Sequence, residues 1–394
     1  MIKPIKVICV TPYFLPGYKG GGPITTIENM RSVLKDEVDI DIFTRDFDLG
    51  SDAPYQSVRS NSWNYTASGL IYYASKTAFN YHGLRRAIQN SNKSYDVLYL
   101  NSFFGFRASI EINLRFHRQY PEIPILLAPR GEFSQGALAI KSFKKKLFIA
   151  IAKLLGLYNK VKWHASTSRE QSDIVRQFSE AEDSIYVAED PVTIGPRLNK
   201  AIPYDPSPPG HLRLAFISRI SPMKNLDALL GFLARTTCLV DLDIFGPIED
   251  VLYWRQCERL IATLPRNVNV SYRNELNPVD VTKTFATFDL FAFPTRGENF
   301  GHVIFEALRA GTPVLISDLT PWKSDPSGAV SVVPLADTQV WVTSLQTAAE
   351  KSVDEKRQLR IAARAYAEQF TEATEISKKN LAMFRAVIQD GGSC

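Results

Sequence analysis

The sequence is poor in cysteine, and the few cysteines it has are scattered. Cys9, Cys238, Cys257 and Cys394 show neither a CxxC spacing nor interleaved histidines. Such a pattern is typical neither of zinc sites nor of disulfide frameworks. We therefore expect a protein of a reducing cytoplasm, without a metal site built on cysteine.

Long apolar runs are missing as well. The longest apolar helical stretch, residues 147–158, carries Lys153 and is shorter than the roughly 20 residues that a membrane-spanning helix needs. Residues 1–10 contain Lys3, Pro4 and Lys6, and their apolar run has the length of a strand. The sequence thus predicts neither a membrane span nor a targeting segment.

Charge of one sign does not dominate either. The 46 lysines and arginines stand against 41 aspartates and glutamates, which fits a polyanionic ligand or an anionic membrane surface. The excess is far from the dense positive charge of a nucleic-acid-binding protein, so no nucleic-acid partner is expected. With 394 residues, 45% of them hydrophobic, the chain can form two or three domains with their own cores.

What is present is an alternation of short β-rich runs and longer helical patterns. Strands separated by helices favour parallel sheets covered on both faces. The pattern predicts two doubly wound, Rossmann-like α/β domains in tandem, with the active site in the cleft across which they face each other. The strand-like runs are residues 6–11, 38–44, 95–101, 123–128, 163–166, 185–188, 212–218, 239–245, 268–272, 290–294 and 313–317.

A proline-rich segment separates the two halves of the chain. Residues 190–210 contain six prolines, which exclude a helix or a central strand. The predicted division is an N-terminal domain over 1–190, a linker over 191–210 and a C-terminal domain over 211–370. Residues 371–394 are expected to form a helix that returns to the N-terminal domain.

A glycine run follows the first predicted strand. Gly20, Gly21 and Gly22 precede a helical pattern that starts at Pro23. Glycines before a helix N-terminus expose backbone N–H groups to a closely approaching phosphate or sugar. The run matches neither GxGxxG nor a Walker A sequence, so a plain flexible turn is the alternative.

Two cations follow the first strand of the second half. Arg219 and Lys224 lie in a loop that leads into a helix. The fork of an arginine and the point charge of a lysine can converge on one diphosphate. Two solvated surface cations are the alternative.

The most informative segment is 294–307, in which a buried strand leads into a glycine-punctuated loop and then a helix. Glu298 lies in the loop, and Glu306 follows eight residues later, about 12 Å away if the stretch were helical. One carboxylate can accept hydrogen bonds from donor-sugar hydroxyls and the other from ribose hydroxyls, while the helix-start amides meet a diphosphate. A merely solvated Glu306 is the alternative.

The segment from Glu298 to Glu306 resembles the Glu-x7-Glu motif of the family-4 retaining glycosyltransferases, which have the GT-B fold. The glycine run and the Arg219/Lys224 segment precede it in the order typical of that family. The resemblance runs from the glycine run to Gly311-Thr312-Pro313-Val314. Pro129-Arg130-Gly131, Glu298-Asn299-Phe300-Gly301 and Thr320-Pro321-Trp322 are similar to a subgroup often seen in bacterial surface-polysaccharide assembly. The resemblance implies an α/β GT-B enzyme of the hexosyltransferase type.

The resemblance also implies a role for each of these residues. Arg219 and Lys224 would neutralise the diphosphate in place of a metal, and Glu298 would bind donor-sugar hydroxyls; these three form the implied catalytic set. Glu306 would bind the ribose, and Gly21 and Gly22 would approach the diphosphate from the other domain. The remaining implied donor-binding residues are Asn299, Phe300, Gly301, His302 and Val303.

Other positions depart from the family pattern. Many relatives place a histidine near the donor sugar where Arg130 stands here, so Arg130 and Glu132 are candidate acceptor-side residues without an assigned chemical role. His302 occupies a slot that is usually aliphatic, and His164 is interpreted as structural. Asp39/Asp41 and Asp241/Asp243 have the spacing of metal-binding pairs but lie inside predicted strands. No cofactor and no metal are therefore expected.

Residues 141–162 carry seven lysines and no acidic residue. Their apolar side chains have helical spacing, which predicts an amphipathic basic helix that lies on anionic lipid. A helix packed by its apolar side, with the lysines in water, is the alternative. The apolar positions are Phe143, Leu147, Ile151, Leu154, Leu155 and Tyr158.

The leading interpretation is a cytoplasmic transferase, peripheral at the inner face of the membrane. It would move a sugar from a nucleoside diphosphate sugar to a saccharide, expected to be lipid-linked, in O-antigen, capsule or exopolysaccharide synthesis. Two alternatives stay open, a sugar-nucleotide epimerase of the same fold and a non-catalytic nucleotide-sugar-binding subunit.

Overall fold

The computed structural model describes residues 3–67, 69–140, 142–192, 204–369 and 373–391. These residues form two α/β units. Unit 1 comprises the described residues within Met1–Thr193 and Ala373–Cys394, and unit 2 comprises those within Ile194–Glu372. No helix in the described ranges is long and apolar enough to cross a membrane.

Unit 1 is built on an eight-stranded sheet. Its strands are β1 (Ile5–Val10), β2 (Val38–Arg45), β3 (Ser62–Thr66), β4 (Gly69–Ala74), β5 (Val97–Leu100), β6 (Ile125–Leu127), β7 (Val161–Ala165) and β8 (Ile185–Val187). They lie in the order β3-β4-β2-β1-β5-β6-β7-β8. All neighbours are parallel except β3 and β4.

Helices cover both faces of this sheet. Ile8 and Val10 of β1 enter one hydrophobic core, and Val7 and Cys9 enter the other, because alternate side chains of a strand point to opposite faces. The helices are α1 (Gly22–Leu34), α2 (Tyr81–Asn90), α3 (Glu111–Gln119), α4 (Gln135–Ala139), α5 (Ser142–Leu154), α6 (Ser168–Gln177) and α13 (Ala373–Gly391).

The C-terminal helix α13 belongs to unit 1. Met383, Phe384 and Val387 join the core that also contains Val7 and Cys9. The Asn380 side chain is buried, and its Nδ2 donates to the Glu189 carbonyl over 2.9 Å. The segment that follows β8 and the C-terminal helix are thus fixed to each other.

Unit 2 has a six-stranded sheet in which all neighbours are parallel. Its strands are β9 (His211–Ile217), β10 (Leu239–Phe245), β11 (Val268–Tyr272), β12 (Leu290–Phe293), β13 (Val314–Ser317) and β14 (Val330–Val333). The order β11-β10-β9-β12-β13-β14 is that of a doubly wound nucleotide-binding sheet, and it reverses between β9 and β12. The helices are α7 (Leu226–Leu233), α8 (Val251–Ile261), α9 (Pro278–Phe285), α10 (His302–Ala310), α11 (Thr338–Glu350) and α12 (Val353–Gln369).

The described end of the predicted linker is packed onto unit 2. The Tyr204 hydroxyl donates to Asp289 over 2.7 Å, and the Ser207 hydroxyl donates to the other oxygen of the same carboxylate over 2.7 Å. Lys356 donates to Ser207 Oγ over 2.7 Å. Residues 193–203 of the predicted linker lie outside the described residues.

The sequence pattern missed β3, β4 and β14. The first two form a hairpin at the edge of the sheet, and β3 reads Ser-Trp-Asn-Tyr-Thr, which lacks a continuous apolar run. The predicted strand-like runs correspond to the other strands to within a few residues at each end.

The predicted helix over 141–162 was wrong in its extent. Helix α5 ends at Leu154, Gly156 takes the left-handed φ of 59°, and Lys162 belongs to β7. The N–H of Gly156 bonds to the Lys153 carbonyl and that of Leu157 to the Ala152 carbonyl, which is the glycine-terminated Schellman cap. Tyr158 is consequently buried instead of joining the stripe, and Lys141 lies outside the described residues.

Candidate functional site

Two loops of unit 2 begin where the strand order reverses. β9 and β12 are hydrogen-bonded neighbours, so the loops that follow Ile217 and Phe293 start side by side. Ligands of doubly wound sheets bind at this kind of position, outside the carboxyl ends of the strands. The first loop carries Arg219 and Lys224, and the second carries Glu298.

The two loops are tied to each other through Asn225. Its Nδ2 donates to the Pro294 carbonyl over 2.8 Å, and its Oδ1 accepts from Arg296 Nε over 3.0 Å. Asn225 is buried and has a φ of 61°, a left-handed conformation that asparagine tolerates better than most residues. Its role is not predicted from the sequence, although an asparagine directly before a helix is a usable signal.

Lys224 and Glu298 form an ion pair. Nζ of Lys224 lies 2.6 Å from Oε1 of Glu298, and the two side chains are only 13% and 11% exposed. The same carboxylate oxygen accepts from the Thr295 hydroxyl over 3.0 Å. Lys224, to which the resemblance gives the diphosphate, and Glu298, to which it gives the sugar, are therefore in contact with each other. Each side chain orients the other.

Arg219 is held by a different carboxylate. Its Nη1 lies 3.1 Å from Oε2 of Glu249, and its side chain is about one third exposed. Glu249 follows β10, and its N–H donates to the Ile220 carbonyl. Glu249 is not recognisable as a site residue from the sequence, because only the neighbouring positions of β9 and β10 bring the two residues together.

The loop after β12 leads directly into α10. Gly301 has a φ of 84°, and His302, the first residue of α10, is buried with its ring 5.0 Å from that of Phe300. Val303 is half-buried. Nδ2 of Asn299 is a buried donor without a hydrogen-bond partner among the described residues.

Glu306 is a half-buried carboxyl group of α10. Burial raises its pKa to about 7, against the opposing attraction of Arg309. Hydrogen bonds from hydroxyl groups would stabilise the charged form of such a carboxylate.

The glycine loop of unit 1 is fastened rather than free. Oδ2 of Asp48 accepts from the N–H groups of Tyr18 and Lys19 over 3.0 and 3.3 Å. The Tyr73 hydroxyl donates to the Leu15 carbonyl over 2.6 Å. Gly21, with a φ of 71°, caps α1, and Gly22 is its first residue. These contacts argue against the flexible-turn alternative; the approach of Gly21 and Gly22 to a diphosphate stays a prediction.

Arg130 is engaged inside unit 1. Its guanidinium lies 2.5 Å from Asp190 and donates to the Tyr99 hydroxyl and to Asn101 Oδ1. His164 is also buried in this network, with Nδ1 2.6 Å from the Tyr99 hydroxyl, and burial lowers its pKa to about 4. In this buried network, Arg130 and His164 hold neighbouring parts of unit 1 together.

Glu132 is likewise turned inward. Its carboxylate accepts from the Ser102 hydroxyl and from the N–H groups of Phe103 and Phe104 over 2.5 to 3.0 Å. Burial raises the pKa of this carboxyl group. Arg130 and Glu132 thus both organise the loops that follow β5 and β6, and an acceptor contact of either residue stays a prediction.

The two aspartate pairs lie in strands and are engaged with basic side chains. Asp39 and Asp41 of β2 both contact Lys93. Asp241 and Asp243 of β10 contact His211 and Arg273, respectively. Within the described ranges, no group of three or more histidine, cysteine, aspartate or glutamate side chains has the arrangement of a metal site.

The segment that carries these loops is similar to a known family model. Residues 205–325 match the family model described as "Glycosyl transferases group 1". A 170-residue region is 29% identical to the D-inositol 3-phosphate glycosyltransferase of Nocardia farcinica. That region covers 39% of this chain and 37% of the relative. The family match contains Arg219, Lys224, Glu298 and Glu306.

Solved structures resemble the chain over nearly its whole length. HepE of Anabaena, in complex with UDP and glucose, is 14% identical, with a TM-score of 0.69 over 97% of this chain and 100% of that one. The lipopolysaccharide outer core galactosyltransferase WaaB, in its apo form, is 16% identical, with a TM-score of 0.62 over 97% and 99%. The chain therefore has the fold of the GT-B glycosyltransferases, with two parallel-sheet α/β domains.

Proposed function

We propose that this protein is a glycosyltransferase whose unit 2 binds a nucleoside diphosphate sugar. The observation that carries the proposal is the Lys224–Glu298 ion pair at the point where the sheet order reverses. The pair lies inside the segment matched by the glycosyltransferase family model. The likeness to a protein solved with UDP and glucose supports the same class of donor.

The proposed reaction exchanges one bond at the anomeric carbon for another. The bond from that carbon to the diphosphate oxygen breaks, and the electron pair leaves with the diphosphate. An acceptor hydroxyl oxygen attacks from the same face, so that the configuration is retained, and its proton passes to the released diphosphate. Arg219, Lys224 and the backbone amides of 300–303 stabilise the charge that develops on the leaving group.

Each remaining residue has a binding role in this proposal. Glu298 accepts hydrogen bonds from donor-sugar hydroxyls, and Glu306 accepts them from the ribose. The unpartnered Nδ2 of Asn299 donates to an oxygen of the donor. Because cationic side chains and backbone amides stabilise the negative charge of the diphosphate, the proposed reaction needs no metal.

We further propose that α5 docks unit 1 on an anionic lipid surface, which brings the enzyme to a lipid-linked saccharide acceptor of polysaccharide synthesis. Five large apolar side chains of α5 and the residue after it face solvent: Phe143, Leu147, Ile151, Leu154 and Leu155. Phe143 and Leu154 are 78% and 85% exposed. An ordinary packed helix exposes its polar face instead, so the packed-helix alternative is disfavoured.

The other positions of α5 explain how it is attached to the unit. Phe148 packs against the rings of Phe103 and Phe104, while Ile149 and Ala152 are buried. The helix therefore has one apolar face for the core and a second one that nothing in the described residues covers. The exposed lysines beside that second face, Lys144, Lys146 and Lys153, are not opposed by any acidic residue of the helix and complement an anionic leaflet.

One experiment separates this function from the alternatives. A thermal-shift screen against UDP-, GDP- and dTDP-sugars finds the donor, because specific binding stabilises the folded state. The labelled donor is then incubated with the protein and a bacterial membrane extract. Label in the lipid fraction supports the proposal, and an epimerised nucleotide sugar identifies an epimerase. Donor binding without either product identifies a non-catalytic subunit.

A further inference from the structure

Trp322 lies directly against the loop that carries Glu298. It follows β13 in the segment Thr320-Pro321-Trp322 and is almost fully buried. Its indole Nε1 donates to the Phe300 carbonyl over 2.6 Å. The proposed donor site thus has a side chain from the turn after the neighbouring strand that donates a hydrogen bond to its backbone.

The indole is also in contact with two other aromatic rings. Its ring lies 5.4 Å from that of Phe300 and 6.3 Å from that of Tyr366 on α12. Tyr366 is fixed in turn, since its hydroxyl donates to the Lys323 carbonyl. The position of the indole N–H is therefore determined by packing before any ligand arrives.

The turn that bears Trp322 is also fastened to the loop. The Ser317 hydroxyl donates to the Thr295 carbonyl over 2.6 Å, and the Glu298 N–H donates to the Leu319 carbonyl over 3.3 Å. The turn and the loop are consequently joined by three hydrogen bonds, of which the indole bond to Phe300 is one.

Fixing the Phe300 carbonyl fixes the amide that follows it. In a planar trans peptide the C=O and the next N–H point in opposite directions. With its carbonyl directed at Trp322, the Phe300–Gly301 peptide directs the Gly301 N–H away from Trp322. Gly301 then turns the chain into α10 with a φ of 84°, where a Cβ would lie only 2.9 Å from the Ile304 side chain.

We propose that Trp322 is a positioning residue for the donor diphosphate. Its indole N–H holds the Phe300 carbonyl so that the amides of Gly301, His302 and Val303 are preorganised for the phosphate oxygens. This inference rests on the proposed function, because it assigns those amides to the diphosphate. It adds a residue outside the Glu-x7-Glu segment to the site.

The test removes the indole N–H and leaves a smaller aromatic ring at the buried position. Trp322→Phe is compared with Trp341→Phe, which loses a similar bond, from a buried indole to the Pro334 carbonyl over 3.1 Å, in the same unit. UDP, GDP and dTDP are titrated calorimetrically, and the one that binds wild type most tightly is the probe. Trp322→Phe is expected to bind it about tenfold more weakly, the size of one lost hydrogen bond, and Trp341→Phe as tightly as wild type.

A second readout distinguishes positioning from stability. Both variants are expected to lower the melting temperature to a similar degree, whereas only Trp322→Phe raises the exchange rate of the 301–303 amides and the KM for the donor. Wild-type affinity in folded Trp322→Phe overturns the inference and leaves the proposed function standing. If wild type binds none of the three nucleotides, the proposed function fails first. Should Trp322→Phe not fold, Trp322→Tyr is measured against the same outcomes.

Discussion

Lys224 has two roles in the proposed site, because it forms an ion pair with Glu298 and is assigned to the diphosphate. Lys224→Ala is expected to reduce sugar transfer by roughly 100-fold or more, because one preorganised group typically supplies about 2.7–4 kcal/mol. Initial rates with saturating acceptor measure the effect. Lys283→Ala, an exposed lysine of the same unit, should be unaffected. Near-normal turnover of folded Lys224→Ala would remove the diphosphate assignment.

Ionisation of the Glu306 carboxyl group should lower the stability of the fold and strengthen donor binding. Its folded-state pKa of about 7 exceeds the ordinary value of 4.5, so the unfolded chain ionises first as the pH rises. Stability is then lost between pH 4.5 and 7, and the loss is complete above pH 7. Glu306→Gln avoids this loss and should melt at a higher temperature than wild type at pH 8, with the difference vanishing near pH 4.5.

The same carboxylate is needed for the ribose, so Glu306→Gln should bind the donor more weakly at pH 8 despite its higher stability. Wild-type donor affinity should fall as the pH drops below about 7, and the variant should lack this dependence. Calorimetric titrations between pH 6 and 8 measure both effects. A variant that is less stable than wild type at pH 8 would contradict the assignment of the raised pKa to burial.

At the scale of a structural element, variants of α5 separate the electrostatic contribution to lipid binding from the apolar one. Wild type should co-sediment with anionic vesicles and much less with neutral ones. Changing Lys144 and Lys146 to Glu should abolish sedimentation, since each lysine near an anionic leaflet contributes roughly 1 kcal/mol. Phe143→Ser with Leu154→Ser should also abolish it while leaving the charge unchanged. Lys145 is left intact, because its Nζ donates to the Ala137 carbonyl over 2.6 Å.

The matched control for the lysine variant is Lys35→Glu with Lys283→Glu, which makes the same change in net charge at exposed positions outside α5. This control should sediment like wild type, and all variants should keep their donor affinity, because the proposed donor residues of α10 and its preceding loop belong to unit 2. Sedimentation of both α5 variants at the wild-type level would mean that the exposed apolar face does not contact lipid.

At the scale of the whole molecule, sugar transfer should survive an excess of EDTA. Arg219, Lys224 and the amides of the α10 loop provide the positive charge that a divalent ion supplies in metal-dependent transferases. Rates measured with and without chelator test this directly. Loss of turnover on chelation, with recovery on addition of manganese, would show that these groups do not suffice.

Much of this architecture follows from local patterns along the chain. The alternation of strand and helix periodicities predicted the α/β fold class, which the structural comparisons confirm. It also located most strand ends, and therefore the loops that hold Arg219, Lys224 and Glu298. Local periodicity succeeds here because buried parallel strands are apolar along their whole length. It missed β3, whose polar residues occupy a sheet edge, and it also missed β4 and β14.

The pairings inside the site depended on the order of the strands, which no local pattern encodes. Lys224 meets Glu298 because β9 and β12 are neighbours, and Arg219 meets Glu249 because β9 lies beside β10. The same applies to Trp322, whose bond to Phe300 joins the loops that follow β13 and β12. Which face of α5 is covered was equally undetermined, because its sequence offers two apolar faces and packing against Phe103 and Phe104 selects one. Residue type and spacing thus specified the chemistry available, and long-range packing specified which groups act on each other.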